Sequence, residues 1–436
     1  MVDGRVIGLY ARDVRFLLVN NHCISDPIAG VTQSLRTIVE WLAEAGHECQ
    51  VLTTARFESA VTFTIEEHLA QQGAAVPAGD AGVGQQRRGS KPPRQANRPV
   101  VRYTVGQAPV TLLLTKHNDE NRPDRAEAAQ YLGVLDNLLK EFAPNVLIAA
   151  NGHPMIFEAM RDARRRGITT AFAVRGYGYD RPSYFADVDH VFTCSAFLSG
   201  VYREKIGLIS TPLEPPLDWS TVVAPVESRA FVTFVNPAPH KGLFLFARLA
   251  DMLGSRRPDI PVLVVQSGRS GGSLNNIPGI DFSRYPQLMA APPVQTPREY
   301  FALTRILLVP SVWEEPFGRV AAEAMVNGVP PIVSNRGALP AVVEADGNGG
   351  GLVRPIPEWM TPEGTRVPSE IEIEPWFGAV CELWDNPTLY ERVGGRGKAI
   401  ADQRYSEEVA RARHLEYFTS LEPRSTPFDT HTTTPP

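Results

Sequence analysis

The sequence predicts an α/β protein of two domains, each built on a mostly parallel sheet. Three observations carry this. A chain of 436 residues is longer than one hydrophobic core usually serves. Short β-rich apolar runs alternate with longer amphipathic segments, the pattern of parallel α/β layers. A Pro-dense stretch, "STPLEPPLDWSTVVAPVES" (210–228), reads as a linker and divides the alternation into two series.

In the first series, "VRFLLVNN" (14–21) is a buried strand. The helix "GVTQSLRTIVEWLAEAG" follows, with Leu35, Ile38, Val39 and Leu42 at helical spacing and Gly46 as its C-terminal cap. "HECQVLTT" is the next strand. Residues 73–99 are rich in Gly, Pro, Gln and Arg, cannot build a core, and are expected as a mobile surface loop. "VVRYTVGQAPVTLLL" reads as a hairpin turning at Gly106-Gln107. A helix (124–141), the strand "NVLIAA", a helix (155–166), and the strands "TTAFAV" and "HVFTC" complete a domain spanning 1–215.

The second series, 229–400, begins at "AFVTFVN". It runs through a helix from Gly242 to about Leu253, the strands "PVLVVQS" and "RILLVPS", a helix carrying "EEPFGRVAAEAM" (314–325), and "PPIVSN". Further helices fall at 373–385, 387–402 and 406–420. The C-terminal helix, 401–421, is expected to pack back toward the first domain. The polar, proline-rich tail 422–436 is expected to be disordered.

Composition narrows the function. A net charge of −5 argues against a dedicated nucleic-acid binder. Four cysteines without a CxxC pair indicate neither a disulfide scaffold nor a zinc site. No apolar run reaches signal-peptide or membrane-span length, so a soluble cytoplasmic protein is expected. The arginines of "RDARRRG" (161–167) and Arg87, Arg88, Lys91, Arg94 and Arg98 read as solvated surface, the alternative being weak peripheral contact with an anionic membrane. No Walker loop, nucleophile elbow or HExxH occurs, and "GYGYDR" lacks the third glycine of a dinucleotide fingerprint.

In open α/β sheets, ligands collect where strands end and helices begin. Four stretches have that placement. In "NNHCISDPIAGV", Gly30 opens the first helix and leaves room for a phosphate or sugar, although an ordinary loop would use glycine too. In "VNPAPHKGLFLF", Lys241 beside Gly242 puts a cation at a helix N-terminus, a placement that suits a diphosphate better than it suits the helix. In the third, Ser311 closes a strand and Glu315 follows in its exit loop, with Pro316 suited to a first helical turn. At ~1.5 Å per residue, Glu315 and Glu323 lie about 12 Å apart along the axis, the span from a nucleotide's ribose to the sugar beyond its diphosphate. Glu315 would face that sugar and Glu323 the ribose hydroxyls, with the N–H groups near Phe317 and Gly318 on the phosphates. An acidic first turn alone also favours glutamates here, but Glu323 sits in the apolar run "AAEAM", where an unpartnered acid is costly. The fourth stretch comprises "IAANGHPMIFEAM" and "FAVRGYGYDRP", which place His153 and Arg175 at two strand ends, with Asp180 a candidate partner for Arg175.

These residues resemble retaining glycosyltransferases of family 4. The resemblance is strongest over 231–355, in "HKG", "VPSVWEEPFGRVAAEAM" and "NGVPPIVSNRGALPAVV". It extends to "AGVTQSLRTIVEWLAEAGHECQVLT" and "ADVDHVFTCSAFLSGVYREKIG", about four-fifths of the chain in all. It implies the GT-B fold, two Rossmann-like domains facing across a cleft, with the nucleotide-sugar donor held by the C-terminal one. It implies that Lys241 holds the diphosphate, Glu315 touches the donor sugar, Glu323 holds the ribose, and no metal or other cofactor is needed. Three departures stand out. Asn236 occupies the region where the family has a second cation. Arg175 ends a strand where the family often has a histidine, while His153 lies on the neighbouring strand's loop. Ala341 replaces a common acid. The expected function is transfer of a sugar from a UDP-linked donor to an acceptor hydroxyl with retention, in polysaccharide, glycolipid or natural-product glycoside synthesis, with Lys241, Glu315, His153 and Arg175 at the chemistry. A nucleotide-sugar-binding module with little turnover is the alternative, and a nicotinamide-dependent oxidoreductase a more distant one.

Overall fold

The computed structural model describes residues 13–27, 29–58, 63–74, 98–118, 122–226, 229–266, 277–345 and 349–422. Most of the expected loop at 73–99, with Arg87, Arg88, Lys91 and Arg94, lies outside these, as does the tail beyond Glu422. The described residues divide into two compact units. One is drawn from Met1–Thr193, Tyr202–Leu213 and Arg411–Pro436, the other from Cys194–Val201 and Glu214–Ala410.

In the first unit the elements run β1 (Arg15–Val19), α1 (Gly30–Glu44), β2 (Glu48–Thr54), α2 (Ile65–Gln71), β3 (Val100–Val105), β4 (Ala108–Leu113), α3 (Arg125–Glu141), β5 (Val146–Ala150), α4 (Pro154–Arg165), β6 (Thr169–Val174), β7 (His190–Thr193), α5 (Ala196–Ile206, of which the residues to Val201 belong to the second unit) and β8 (Thr211–Pro212). The strands form one sheet in the order β3-β4-β2-β1-β5-β6-β7-β8. Every pairing is parallel except the β3–β4 hairpin at the edge. Strands β5 and β6 are buried along their whole length, which is why they read as unbroken apolar runs. On the hairpin edge, β3 alternates buried and exposed positions instead.

The second unit continues with α6 (Trp219–Val222), β9 (Phe231–Val235), α7 (Leu243–Arg256), β10 (Val262–Val265), β11 (Leu288–Ala291), α8 (Pro297–Phe301), β12 (Thr304–Val309), α9 (Arg319–Val326), β13 (Pro331–Ser334), α10 (Leu339–Val342), β14 (Leu352–Arg354), α11 (Glu370–Asp385) and α12 (Pro387–Arg404); the last helix, α13 (Glu407–Thr419), belongs to the first unit from Arg411 onward. Its sheet is parallel throughout, in the order β11-β10-β9-β12-β13-β14. Strands β11 and β14 and the short helices α8 and α10 are too brief, at three to five residues each, to show a period in the sequence.

Several expectations change in detail. The stretch read as a linker is packed on the second unit. There Trp219 donates its indole N–H to the Tyr405 carbonyl at 2.8 Å, and the Asn327 side chain joins the Val222 carbonyl to the Ala224 amide. The last helix begins at Glu407, because residues up to Arg404 continue α12. Its Leu415 and Phe418 are buried in the first unit's core beside Leu42 and Phe192, and its Arg411 pairs with Glu44 at 2.7 Å. The arginines of 161–167 are not a bare basic patch: Arg161, Arg164 and Arg166 each contact an aspartate, Asp187, Asp189 and Asp136. All four cysteines are free thiols. Among the described residues no helix is long and apolar enough to cross a membrane.

Candidate active site

In the second sheet the chain runs outward from β9 to β11 on one side and from β12 to β14 on the other. The topological switch point therefore lies between β9 and β12, where open parallel sheets bind ligands beyond the strand ends. Lys241 follows β9 and Glu315 follows β12, so the two loops at that point supply the two residues. They meet directly: Lys241 Nζ lies 2.7 Å from Glu315 Oε1. Ser311 Oγ donates to the same oxygen at 2.6 Å, and the Lys241 ammonium stands 4.9 Å from the Trp313 ring centroid. Burial alone would push the Glu315 carboxyl up. Lys241, Ser311 and the Trp313 indole outweigh it and hold the group below its ordinary value, so Glu315 is an anion. His240, beside Lys241, is held neutral by burial and then by the lysine's charge.

Local backbone geometry makes the approach possible. Lys241 ends a single 3₁₀ turn (Pro239–Lys241), and Gly242, at φ +92°, is the N-cap of α7, which begins at Leu243, one residue later than the sequence suggests. A Cβ on Gly242 would lie 2.0 Å from the Pro310 carbonyl oxygen, so only glycine lets the β9 loop touch the β12 loop. The carbonyl of His240 completes the junction by accepting from the amides of Val312 and Trp313.

The helix after Glu315 also starts later than expected. Pro316 and Phe317 stay in the loop, Gly318 takes the left-handed conformation at the N-cap, and α9 begins at Arg319. The loop is fixed from three sides. Ser195 Oγ donates to the Pro316 carbonyl at 2.5 Å and Cys194 Sγ approaches the same oxygen at 3.4 Å. The Phe317 ring meets Tyr405 edge-on at 5.8 Å. From the β13 exit, Ala338 donates its amide to the Glu315 carbonyl at 2.8 Å, while the Gly337 amide and Arg336 both bind Glu314.

Glu323 lies on α9 and is 4% exposed. The partner its apolar neighbourhood requires is Arg319, one turn earlier at 3.4 Å, joined by the Tyr300 hydroxyl. Burial nevertheless dominates and raises its carboxyl above the ordinary value. The structure thus joins Lys241, Gly242, Ser311 and Glu315 in one contact set, and gives Glu323 its own partners one helical turn into α9.

The first unit repeats the logic at its own switch point, between β1 and β5. Asn151, at φ +58°, donates to Asn20 Oδ1 at 2.8 Å and lies 3.3 Å from His22 Nδ1. His153 caps α4, its Nδ1 accepting from the Met155 amide at 3.2 Å, so the neutral ring carries its proton on Nε2. Burial, followed by the charges of Arg122 and Arg56, keeps the ring neutral. Gly30 is the first residue of α1, as the sequence suggests. Arg175 places its guanidinium 5.3 Å from the Phe192 ring centroid, while Asp180 lies 3.9 Å from Arg181. Asn236 takes a left-handed backbone, φ +61°, at the exit of β9, and its carbonyl accepts from Ala238. Among the described residues no group of three or more His, Cys, Asp or Glu is placed to hold a metal ion.

Sequence reasoning missed Trp313, Ser195, Arg336 and the Asn20–His22–Asn151 cluster. Arg319, four residues before Glu323 on one helix face, was legible as an i,i+4 pair. Ser195 was not, since 121 residues separate it from Pro316.

Residues 288–356 match the family described as Glycosyl transferases group 1. This stretch holds Ser311, Glu315, Phe317, Gly318 and Glu323. Spore coat protein SA of Bacillus subtilis (strain 168) is 44% identical over 57 residues, 13% of this chain, and the matched stretch spans 15% of that protein. Sucrose-phosphate synthase from Thermosynechococcus elongatus superposes with a TM-score of 0.63 at 15% identity, covering 93% of this chain and 98% of that one. Anabaena HepE, solved in complex with UDP and glucose, superposes with a TM-score of 0.60 at 13% identity, covering 93% and 99%. This likeness shows the fold: a two-domain α/β architecture on parallel sheets, that of GT-B glycosyltransferases.

Proposed function

We propose that this protein is a glycosyltransferase that moves a sugar from a nucleotide-sugar donor, UDP-linked, to an acceptor hydroxyl with retention at the anomeric carbon. The observation that carries the reading is the Lys241–Glu315–Ser311 contact at the β9/β12 switch point, whose Ser311 and Glu315 lie within the stretch that matches the group 1 glycosyltransferases. HepE, with its bound UDP and glucose, supports the choice of donor class.

In this reading Lys241 turns from Glu315 toward the donor's diphosphate, and the N-terminal end of α9 faces the same phosphates. Breaking the anomeric C–O bond sends its electron pair to the diphosphate, and the lysine stabilises the charge that develops there. Glu315, held as an anion, favours the oxocarbenium-like carbon opposite. The acceptor oxygen bonds that carbon on the face the diphosphate leaves, and its proton passes to the departing phosphate oxygen. Glu323 accepts hydrogen bonds from the ribose diol. Protein cations and backbone amides, rather than a metal, neutralise the leaving group. His153, neutral with an Nε2 proton, is available on the first unit as a hydrogen-bond donor to a sugar hydroxyl. Cytoplasmic placement follows from the same reading, since nucleotide sugars are cytoplasmic metabolites.

Incubation with UDP-, ADP- and GDP-sugars, followed for free nucleotide, tests the proposal. Release with one donor that disappears in Lys241→Ala supports it. Absence of release with every donor, despite nucleotide binding, would mark a binding module without turnover.

A further inference from the structure

We propose that Arg336 is a second cation for the donor's anionic bridge, held on Glu314 until the donor arrives; this rests on the site being a nucleotide-sugar site. Charge balance motivates it. Three cations around the loops after β9, β12 and β13 each sit on a glutamate: Lys241 on Glu315 at 2.7 Å, Arg319 on Glu323 at 3.4 Å and Arg336 on Glu314 at 3.4 Å. Each of these three described cations is matched by one carboxylate, so a diphosphate bound by any of them draws it away from its glutamate.

The three pairs differ in what they leave behind. Glu323 is 5% exposed, so a departing Arg319 would strand a buried acid. Glu315 is 7% exposed and keeps Ser311 and Trp313 when Lys241 turns away. Glu314 is 46% exposed and keeps the Gly337 amide as a donor, so losing Arg336 leaves it hydrated and hydrogen-bonded. Arg336 is therefore the arginine most easily redirected.

Its position and its hydrogen bonding agree. A Cβ on Gly337, the next residue, would lie 2.3 Å from both the amide nitrogen and the carbonyl oxygen of Glu315, so Arg336 branches one residue from the Lys241–Glu315 contact. Its Nε is shut from solvent and has no hydrogen-bond acceptor among the described residues. A guanidinium with an unused N–H beside the switch point suits bidentate contact with phosphate oxygens.

The test compares UDP, ADP and GDP with uridine, adenosine and guanosine by calorimetric titration of the full chain, using wild type, Arg336→Gln and Arg336→Lys. Wild type should bind one diphosphate. Arg336→Gln should weaken that diphosphate about tenfold, the loss of a charge-assisted hydrogen bond. The matching nucleoside should bind unchanged, Arg336→Lys should recover part of the loss, and the melting temperature should hold. Equal diphosphate affinity in wild type and Arg336→Gln overturns the inference, as does an equal weakening of nucleoside and diphosphate. A wild type that binds none of the three diphosphates overturns the site reading itself.

Discussion

Lys241 and Glu315 are 74 residues apart in sequence, and in the fold their charged atoms stand 2.7 Å apart at the point where the second sheet reverses its strand order. The lysine side chain is 25% exposed and the glutamate 7%, so the pair has a wet end and a dry end. A ligand can reach the lysine while Ser311 and Trp313 keep the carboxylate satisfied. In the proposed function this contact is the resting arrangement from which Lys241 is lent to the donor's diphosphate.

Removing either partner therefore has different consequences. Lys241→Ala leaves a buried carboxylate with only neutral donors and should cost about 2 kcal/mol of stability, below the range for a fully buried pair because the lysine is partly hydrated. It should also lower the transfer rate by about 10² to 10³, the usual loss of one charge-stabilising group. Glu315→Gln keeps the Ser311 hydroxyl and should cost less stability. Urea unfolding of both variants, with donor turnover measured alongside, separates the two effects.

The two glutamates bend the pH profile in opposite directions. Glu315 titrates below the ordinary 4.5 when folded. Between that value and its depressed one the unfolded chain holds a proton the folded chain lacks, so its stabilisation, full above 4.5, is lost as pH falls through that window. Glu323 titrates above 4.5 when folded. Here the folded chain holds the extra proton, so stability is greatest below 4.5 and declines as pH rises through the raised value. Glu323→Gln should flatten the decline on the side above pH 4.5, while Glu315→Gln should act only on the acid side. Urea midpoints across a pH series read both.

Ser195 holds the site loop through the Pro316 carbonyl and also caps α5 by accepting from the Leu198 amide at 3.0 Å. Ser195→Ala removes the 2.5 Å hydrogen bond to the Pro316 carbonyl, leaving that oxygen to the weaker Cys194 thiol. The expected cost is about 1 kcal/mol of stability. If the bond aims Glu315, turnover should fall with the Kd for UDP unchanged. A variant that loses stability but keeps full turnover would make Ser195 structural only.

How much of this was legible follows from the range over which each signal acts. The parallel strands were readable because burial on both faces makes them continuously apolar, and α1 because Leu35, Ile38, Val39 and Leu42 repeat at helical spacing. Lys241, Glu315 and Glu323 were readable as candidates because strand–loop–helix order places them at strand exits. Their pairing was not: nothing local distinguishes a lysine facing a diphosphate from one resting on Glu315. The helix starts were misjudged at both loops because Pro316 and Lys241 look like first-turn residues, whereas left-handed Gly318 and Gly242 postpone each helix by taking the cap position. Ser195 and Tyr405, which fix the loop from distant stretches of chain, leave no trace near residue 315.

Gly337 gives a backbone test of the same geometry, free of charge effects. Its φ is +61°, and a Cβ there would fall 2.3 Å from the Glu315 amide and carbonyl, atoms that cannot turn aside as a side chain can. Gly46, at φ +95° after α1, has nothing within 4 Å of its would-be Cβ. Both positions disfavour an L side chain by about 1–2 kcal/mol from backbone conformation alone. Gly46→Ala should lose only that much, seen as a modest drop in the urea midpoint, with nucleotide binding intact. Gly337→Ala must in addition push the Glu315 backbone away from Ala338 and so misplace the carboxylate relative to Lys241. It should lose more stability than Gly46→Ala and weaken or abolish donor turnover. If the two variants lost equal stability and both kept full turnover, the close packing of the β13 exit on Glu315 would have no bearing on the site.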